Sequence, residues 1–201
     1  MKEEIIQTAL DQFLRQGIRK MTIRKMIASM GISTKTVYKY FHTKEDLLKA
    51  CIALQYEKLF EKFSVIGNDS RSAVVKIFSI LRDGIKTDFG VNHIFYYDLN
   101  YYYPQLQDEV LKKYTRRYHN EFAALVKDGI QSGLIKNDIV PELVLETLTT
   151  MYASITRTQQ YKKFKLQPFT IFKNTIEVYL RGICTSKGLK ELDKNYITIA
   201  Q

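Results

Sequence analysis

At 201 residues, with 45% hydrophobic and 26% charged side chains, the chain can bury a sizeable core, which excludes a disordered or fibrous protein. A formal net charge of +10 suggests an anionic partner without naming one. No apolar run approaches the roughly 20 residues needed to cross a bilayer, and MKEEIIQTAL sets two glutamates before its apolar residues, unlike an export signal, so a cytoplasmic protein is expected.

The first element is a helix. Ile5, Ile6, Ala9, Leu10, Phe13 and Leu14 recur at one-turn spacing, and Gly17 can end the helix in a left-handed conformation. Thr22 can then accept a backbone N–H as the N-cap of a second short helix whose inward face is Ile23, Met26, Ile27 and Met30. Gly31 ends it, and Ser33 or Thr34 caps a third helix. Spacing turns Val37 and Phe41 of this helix inward and leaves Thr34, Lys35, Thr36, Lys39 and Tyr40 outward. A fourth helix starts at Thr43, with Asp46 at the capping-box position and Leu47 and Leu48 continuing the core.

Two short helices joined by a tight Gly-containing turn form a helix-turn-helix, whose second helix can enter a DNA major groove. Charge favours that reading over an ordinary helical hairpin with Tyr38 and Tyr40 in its core. From Gln12 to Lys44 there is no Asp or Glu, whereas Arg15, Arg19, Lys20, Arg24, Lys25, Lys35, Lys39 and Lys44 all fall inside.

The run TIRKMIASMGISTKTVYKYFHTKEDLL, Thr22 to Leu48, resembles the DNA-binding pattern of the TetR family of bacterial transcriptional regulators, including Gly31, Ser33, Val37, Tyr38, Phe41, Lys44, Asp46 and Leu47. The resemblance covers about the first quarter of the chain. It implies a homodimer, each recognition helix reading half of a palindromic operator in double-stranded DNA. On the family pattern Thr34, Lys35, Thr36 and Tyr40 would approach bases, Thr22, Tyr38, Lys39 and Lys44 would hold phosphates, and Arg24 could do either. Lys35 stands where many members carry a small or uncharged residue, so base preference does not carry over.

From Leu47 onward the spacing is helical, with breaks near Gly67 to Ser70, Gly90 to Asn92, Tyr103 to Pro104, Gly133 to Pro141 and Leu166 to Pro168. The expected fold is all-α: a three-helix helix-turn-helix domain, residues 1–46, and a helical bundle for ligand binding and dimerisation, residues 47–201. GIQSGLIKNDI, Gly129 to Ile139, resembles a passage between two helices of the family's second domain. Tyr196 to Ala200 reads as a frayed tail rather than a strand.

NHIFYYDLNYYYP, Asn92 to Pro104, holds six aromatic rings and would be aromatic around nearly its whole circumference as a helix. Its His93, Tyr96, Tyr97 and Tyr101, with Tyr114 and Tyr118 beyond, are candidates to line a site for an apolar or aromatic small-molecule inducer. The helices expected at Pro141 to Lys163 and Pro168 to Ser186 are apolar on more than one face. Val144, Leu148, Met151, Tyr152 and Ile155 form one stripe, and Phe172, Ile176, Tyr179 and Ile183 belong to the other. The resemblance implies that these helices pair with their twins in a dimer interface.

No Ser-His-Asp set, metal-ligand cluster or phosphate-cradling Gly loop is visible, and His42, His93 and His119 fall on separate segments, so neither an enzyme nor a metal or cofactor is expected. Cys51 and Cys184 lack metal-type spacing and read as buried free thiols. The expected function is a transcriptional repressor released from its operator by the inducer; the alternative is a DNA-bound adaptor whose helical domain binds another protein. A role at a membrane surface is disfavoured because the basic block lacks a broad apolar face.

Overall fold

The short N-terminal helices begin where side chains satisfy their free backbone donors. A computed structural model describes residues 1–200. In it, α1 (Lys2–Gln16) carries Glu3 and Glu4 in its first turn and Arg15 in its last, the charge order that a helix dipole favours. It ends at Gly17, whose φ of 83° suits glycine and whose N–H donates to the Phe13 carbonyl at 2.9 Å. Thr22 Oγ1 accepts from Lys25 N at 3.2 Å to cap α2 (Ile23–Met26). Of the two residues that could cap α3 (Thr34–Tyr38), Ser33 does so, accepting from Thr36 N at 3.2 Å, and Thr34 is the first helical residue. Thr43 and Asp46 form a reciprocal capping box at the start of α4 (Lys44–Gly67): Thr43 N donates to Asp46 Oδ2 at 2.9 Å, and Asp46 N donates to Thr43 Oγ1 at 3.0 Å.

The remaining helices are α5 (Ala73–Asp88), α6 (His93–Tyr102), α7 (Pro104–Gln131), α8 (Pro141–Arg157), α9 (Pro168–Asn174), α10 (Ile176–Ile183) and α11 (Ser186–Ala200), with a 3-10 turn at Lys162–Phe164. The chain forms two compact units: residues 1–60 with 91–115, and residues 61–90 with 116–201. The unit boundaries fall inside α4 and α7 as well as between α5 and α6. Among the described residues all the helices and turns named here are helical, no strand is formed, and no helix is long and apolar enough to cross a membrane.

The first unit is built on Leu10, Phe13, Ile18, Met26, Val37, Leu47, Leu48 and Ile52, to which α6 adds Phe95 and Leu99. Every residue assigned from spacing to the inward faces of α1 to α3 is buried or half-buried. α6 is held to the end of α1 through Asn92: its N–H donates to the Leu14 carbonyl, its Nδ2 donates to the Arg15 carbonyl, and its Oδ1 caps α6 by accepting from Ile94 N.

In the second unit α5 lies against α8, α9 and α11, and the core centres on Phe78, Phe122 and Phe172. Phe78 and Phe172 meet edge to face at 4.9 Å. Two expectations are corrected here. The helix expected over Pro168 to Ser186 is broken at Thr175 (φ −129°, ψ −89°), whose hydroxyl donates to the Ile171 carbonyl at 2.6 Å in place of the regular ladder. The segment read as a frayed tail lies in α11, anchored by Tyr196, which sets its ring against Phe78 and donates to Glu177 Oε2 at 3.2 Å.

Of the residues assigned to a dimer interface, Val144, Leu148, Ile155, Phe172, Ile176 and Ile183 are buried within the chain's own core. Met151, Tyr152 and Tyr179 are half-buried against it. These stripes are apolar because they cover the interior of one chain. The large apolar side chains that α8 and α10 expose are Leu143 (65%) and Val178 (62%).

Candidate nucleic-acid interface

The third helix owes its orientation to two residues. Val37 is fully buried and Phe41 is 5% exposed, one turn apart, and they pin α3 to the small core. The opposite side is therefore turned to solvent: Lys35, Tyr38, Lys39 and Tyr40 are exposed, and Thr34 and Thr36 are half-buried. The Thr36 hydroxyl lies 3.0 Å from the Ser33 hydroxyl, which fixes its rotamer beside the cap. Lysine ammonium groups, phenols and threonine methyl and hydroxyl groups thus share one face. These are the groups that donate to guanine or phosphate oxygens and touch thymine methyls.

Around α3 the other assigned residues take distinct positions. Thr22 and Arg24 are exposed at the start of α2, although Thr22 already uses its oxygen as a cap acceptor. Lys44 is half-buried. Its ammonium donates to the Ile18 carbonyl at 2.6 Å and lies 5.9 Å from the Phe13 ring centroid. Burial pushes its pKa down, and the nearby Asp98 carboxylate partly opposes that shift. Lys44 therefore braces the turn between α1 and α2.

Sequence reasoning missed the group that orders this turn. Asp98 of α6 is 4% exposed, and its Oδ2 accepts from Ile18 N at 2.7 Å and from Arg19 N at 2.8 Å. Two N–H groups just past the end of α1 are thereby satisfied by a residue some 80 positions away. Gly17 is required twice over, by its positive φ and by space: a Cβ there would lie 2.6 Å from Ile94 Cγ2 and 3.1 Å from Asp98 Oδ2. One signal was available, because Asp98 is the single acid in an aromatic run, and a carboxylate that a helix buries needs donors.

The residues proposed to line an inducer site meet different surroundings. Tyr97 and Tyr101 are exposed and stack on each other at 5.7 Å with planes 6° apart, whereas Tyr96 is buried and His93 half-buried. Tyr114 stacks on Tyr56 and donates to Glu57 Oε1 at 2.7 Å; burial and then that bond push its phenol up to about 12. All five belong to the first unit. Tyr118 belongs to the second, packed on Phe63 and Phe122, and burial pushes its phenol well above the usual range. Within the second unit an open groove of about 480 Å³ lies between α7 and α8, lined by His119, Asn120, Ala123, Ala124, Lys127, Glu142, Leu145 and Glu146.

Residues 5–51, which hold most of α1, all of α2 and α3 and the start of α4, match the family described as bacterial regulatory proteins, tetR family. That match covers the N-terminal part of the chain, which is a tetR-type DNA-binding region. Over 150 residues it is 21% identical to the HTH-type transcriptional repressor KstR2 of Rhodococcus jostii, a match spanning 73% of this chain and 74% of that protein. Among solved structures, a TetR transcription regulator from Haloarcula marismortui superposes with a TM-score of 0.75 at 18% identity, covering 92% of this chain and 98% of the other. FadR from Bacillus subtilis, solved in complex with stearoyl-CoA, gives 0.69 at 20% identity, covering 90% and 97%. Likeness at these identities establishes a shared fold.

Proposed function

We propose that this regulator is a repressor that binds a palindromic operator as a homodimer and is released by a small molecule held in residues 47–201, with residues 1–46 reading the DNA. The observation that carries the proposal is the split of α3, with Val37 and Phe41 buried and Lys35, Tyr38, Lys39 and Tyr40 displayed in a stretch free of acids. Thr34, Lys35, Thr36 and Tyr40 contact bases; Thr22, Tyr38, Lys39 and Lys44 contact phosphates; Arg24 serves either. Two relatives support the regulatory half: KstR2 is named a repressor, and FadR was solved with stearoyl-CoA. The inducer we propose is an apolar or aromatic small molecule, and it acts by binding one conformation of the dimer better than the other. Copies pair through the outward sides of α8 and α10, where Leu143 and Val178 are exposed.

Selection of bound duplexes from a random pool by the purified protein tests the reading, and a palindromic consensus is the expected result. Eight phosphate contacts per dimer give a log–log salt slope of roughly −7, so an affinity insensitive to salt would count heavily against it. Lys35→Ala changes which sequences are selected. Lys44→Ala weakens all sequences about equally, with a slope shallower by about one unit for each phosphate lost. If a purified protein partner releases the operator where apolar small molecules do not, the helical domain is instead an adaptor surface.

A further inference from the structure

Arg19 was assigned no role from the sequence, yet it is the best-held exposed cation in the acid-free stretch. Its backbone N–H is fixed by the buried Asp98 carboxylate. Its guanidinium lies 4.2 Å from the ring centroid of Tyr102 on α6, and Nη1 donates to the Tyr102 hydroxyl at 2.7 Å. A long side chain that is exposed and anchored at both ends is pre-organised, losing little further freedom when it meets a ligand. Among the described residues no carboxylate comes within ion-pair distance of this guanidinium, and one bond to Tyr102 leaves most of its five N–H donors unused.

Position then selects the ligand. The carbonyl of Ile18, the preceding residue, receives the ammonium of Lys44, and Thr22 caps α2 three residues further on. Arg19 thus lies in the turn between two residues proposed to hold phosphates. The buried acid beside it does not pair with it: Asp98 is spent on the backbone donors of Ile18 and Arg19. We propose that Arg19 binds a phosphodiester of duplex DNA, beyond the contacts made by α3, and that Tyr102 of α6 is its positioning residue. The reading of the chain as a DNA-binding regulator underlies this proposal. An aromatic face beneath a guanidinium holds its plane while leaving the edge free for bidentate bonds to phosphate oxygens.

The test measures binding to a fluorescent random-sequence duplex of about 30 base pairs, roughly three helical turns, over a range of salt concentrations. Arg19→Ala is expected to weaken binding about tenfold or more. It should also make the salt slope shallower by about 0.9 per chain, roughly 1.8 per dimer. Tyr102→Ala should weaken binding about threefold to tenfold, with Tyr102→Phe keeping most of the affinity, and it should add nothing in the Arg19→Ala background. Melting curves report folding. Should Arg19→Ala not fold, Arg19→Gln, which keeps a donor for the Tyr102 hydroxyl but no charge, carries the same slope test. An unchanged slope in the charge-removing variant, or a Tyr102→Ala loss that is additive with it, overturns the proposal. A parent protein that fails to bind the duplex at all overturns the regulator reading first, so the two failures are distinct.

Discussion

The two units reach order by different means. In the second, whole helices of seven to 17 residues bury a shared aromatic and aliphatic core. In the first, α2 and α3 are four and five residues long, far below the length at which a helix holds itself in water. They exist because each has an N-cap, because Met26, Val37 and Phe41 anchor them, and because Asp98 closes the turn ahead of α2. A region that must display its donors has little surface left to bury, so buried polar bonds substitute for apolar area.

The largest test of that contrast is a matched pair. Phe13→Ala and Phe78→Ala each empty a fully buried aromatic site and should cost about 3–5 kcal/mol. Calorimetry should show Phe13→Ala lowering the transition of the first unit and Phe78→Ala that of the second; equal lowering of one shared transition would show that the units unfold together. Asp98→Ala is next. It strands one buried and one half-buried N–H group, should cost about 2–4 kcal/mol, and should abolish DNA binding at temperatures where the second unit still melts normally. Ser33→Ala removes one cap and should cost about 1 kcal/mol, visible as faster amide exchange over residues 34–38 before any change in global melting.

The smallest effect is one of slope and belongs to the second unit. Asp88 is buried there, and its Oδ2 accepts from the Tyr152 hydroxyl at 2.7 Å. Burial raises its pKa; the Tyr152 bond and the Arg157 and Lys62 charges only partly offset that. Since the native state holds this proton more tightly than the unfolded chain, stability falls as pH rises from the ordinary carboxylate value of about 4 through the raised folded value. Asp88→Asn should flatten that fall and be no less stable at neutral pH, as measured by denaturant unfolding across the window; an unaltered slope would show that Asp88 is not its source.

Local signals were legible. The caps at Thr22, Ser33 and Thr43, the inward faces of α1 to α3 and the exposure of Lys35 and Lys39 all follow from spacing within a few residues. What escaped was long-range or unmarked. Asp98 acts on residues some 80 positions earlier, and Arg19 draws its order from Tyr102. The break at Thr175 has no Gly or Pro beside it, since a hydroxyl bonding back to Ile171 does the work. The stripes on α8 and α10 show that periodicity reveals how much apolar surface needs covering but not which molecule covers it: Val144, Leu148 and Ile176 are covered by their own chain.

Each unit also contains one buried free thiol, Cys51 in the first and Cys184 in the second. Burial pushes the Cys51 thiol far up, and Cys184 up to about 11 despite the pull of Arg181 and Lys136. Alkylating reagents need a solvent-reachable thiolate, so either sulfur reacts only when its surroundings open. The unmodified protein therefore carries two built-in clocks, and the ratio of their labelling rates measures how often the first unit breathes relative to the second.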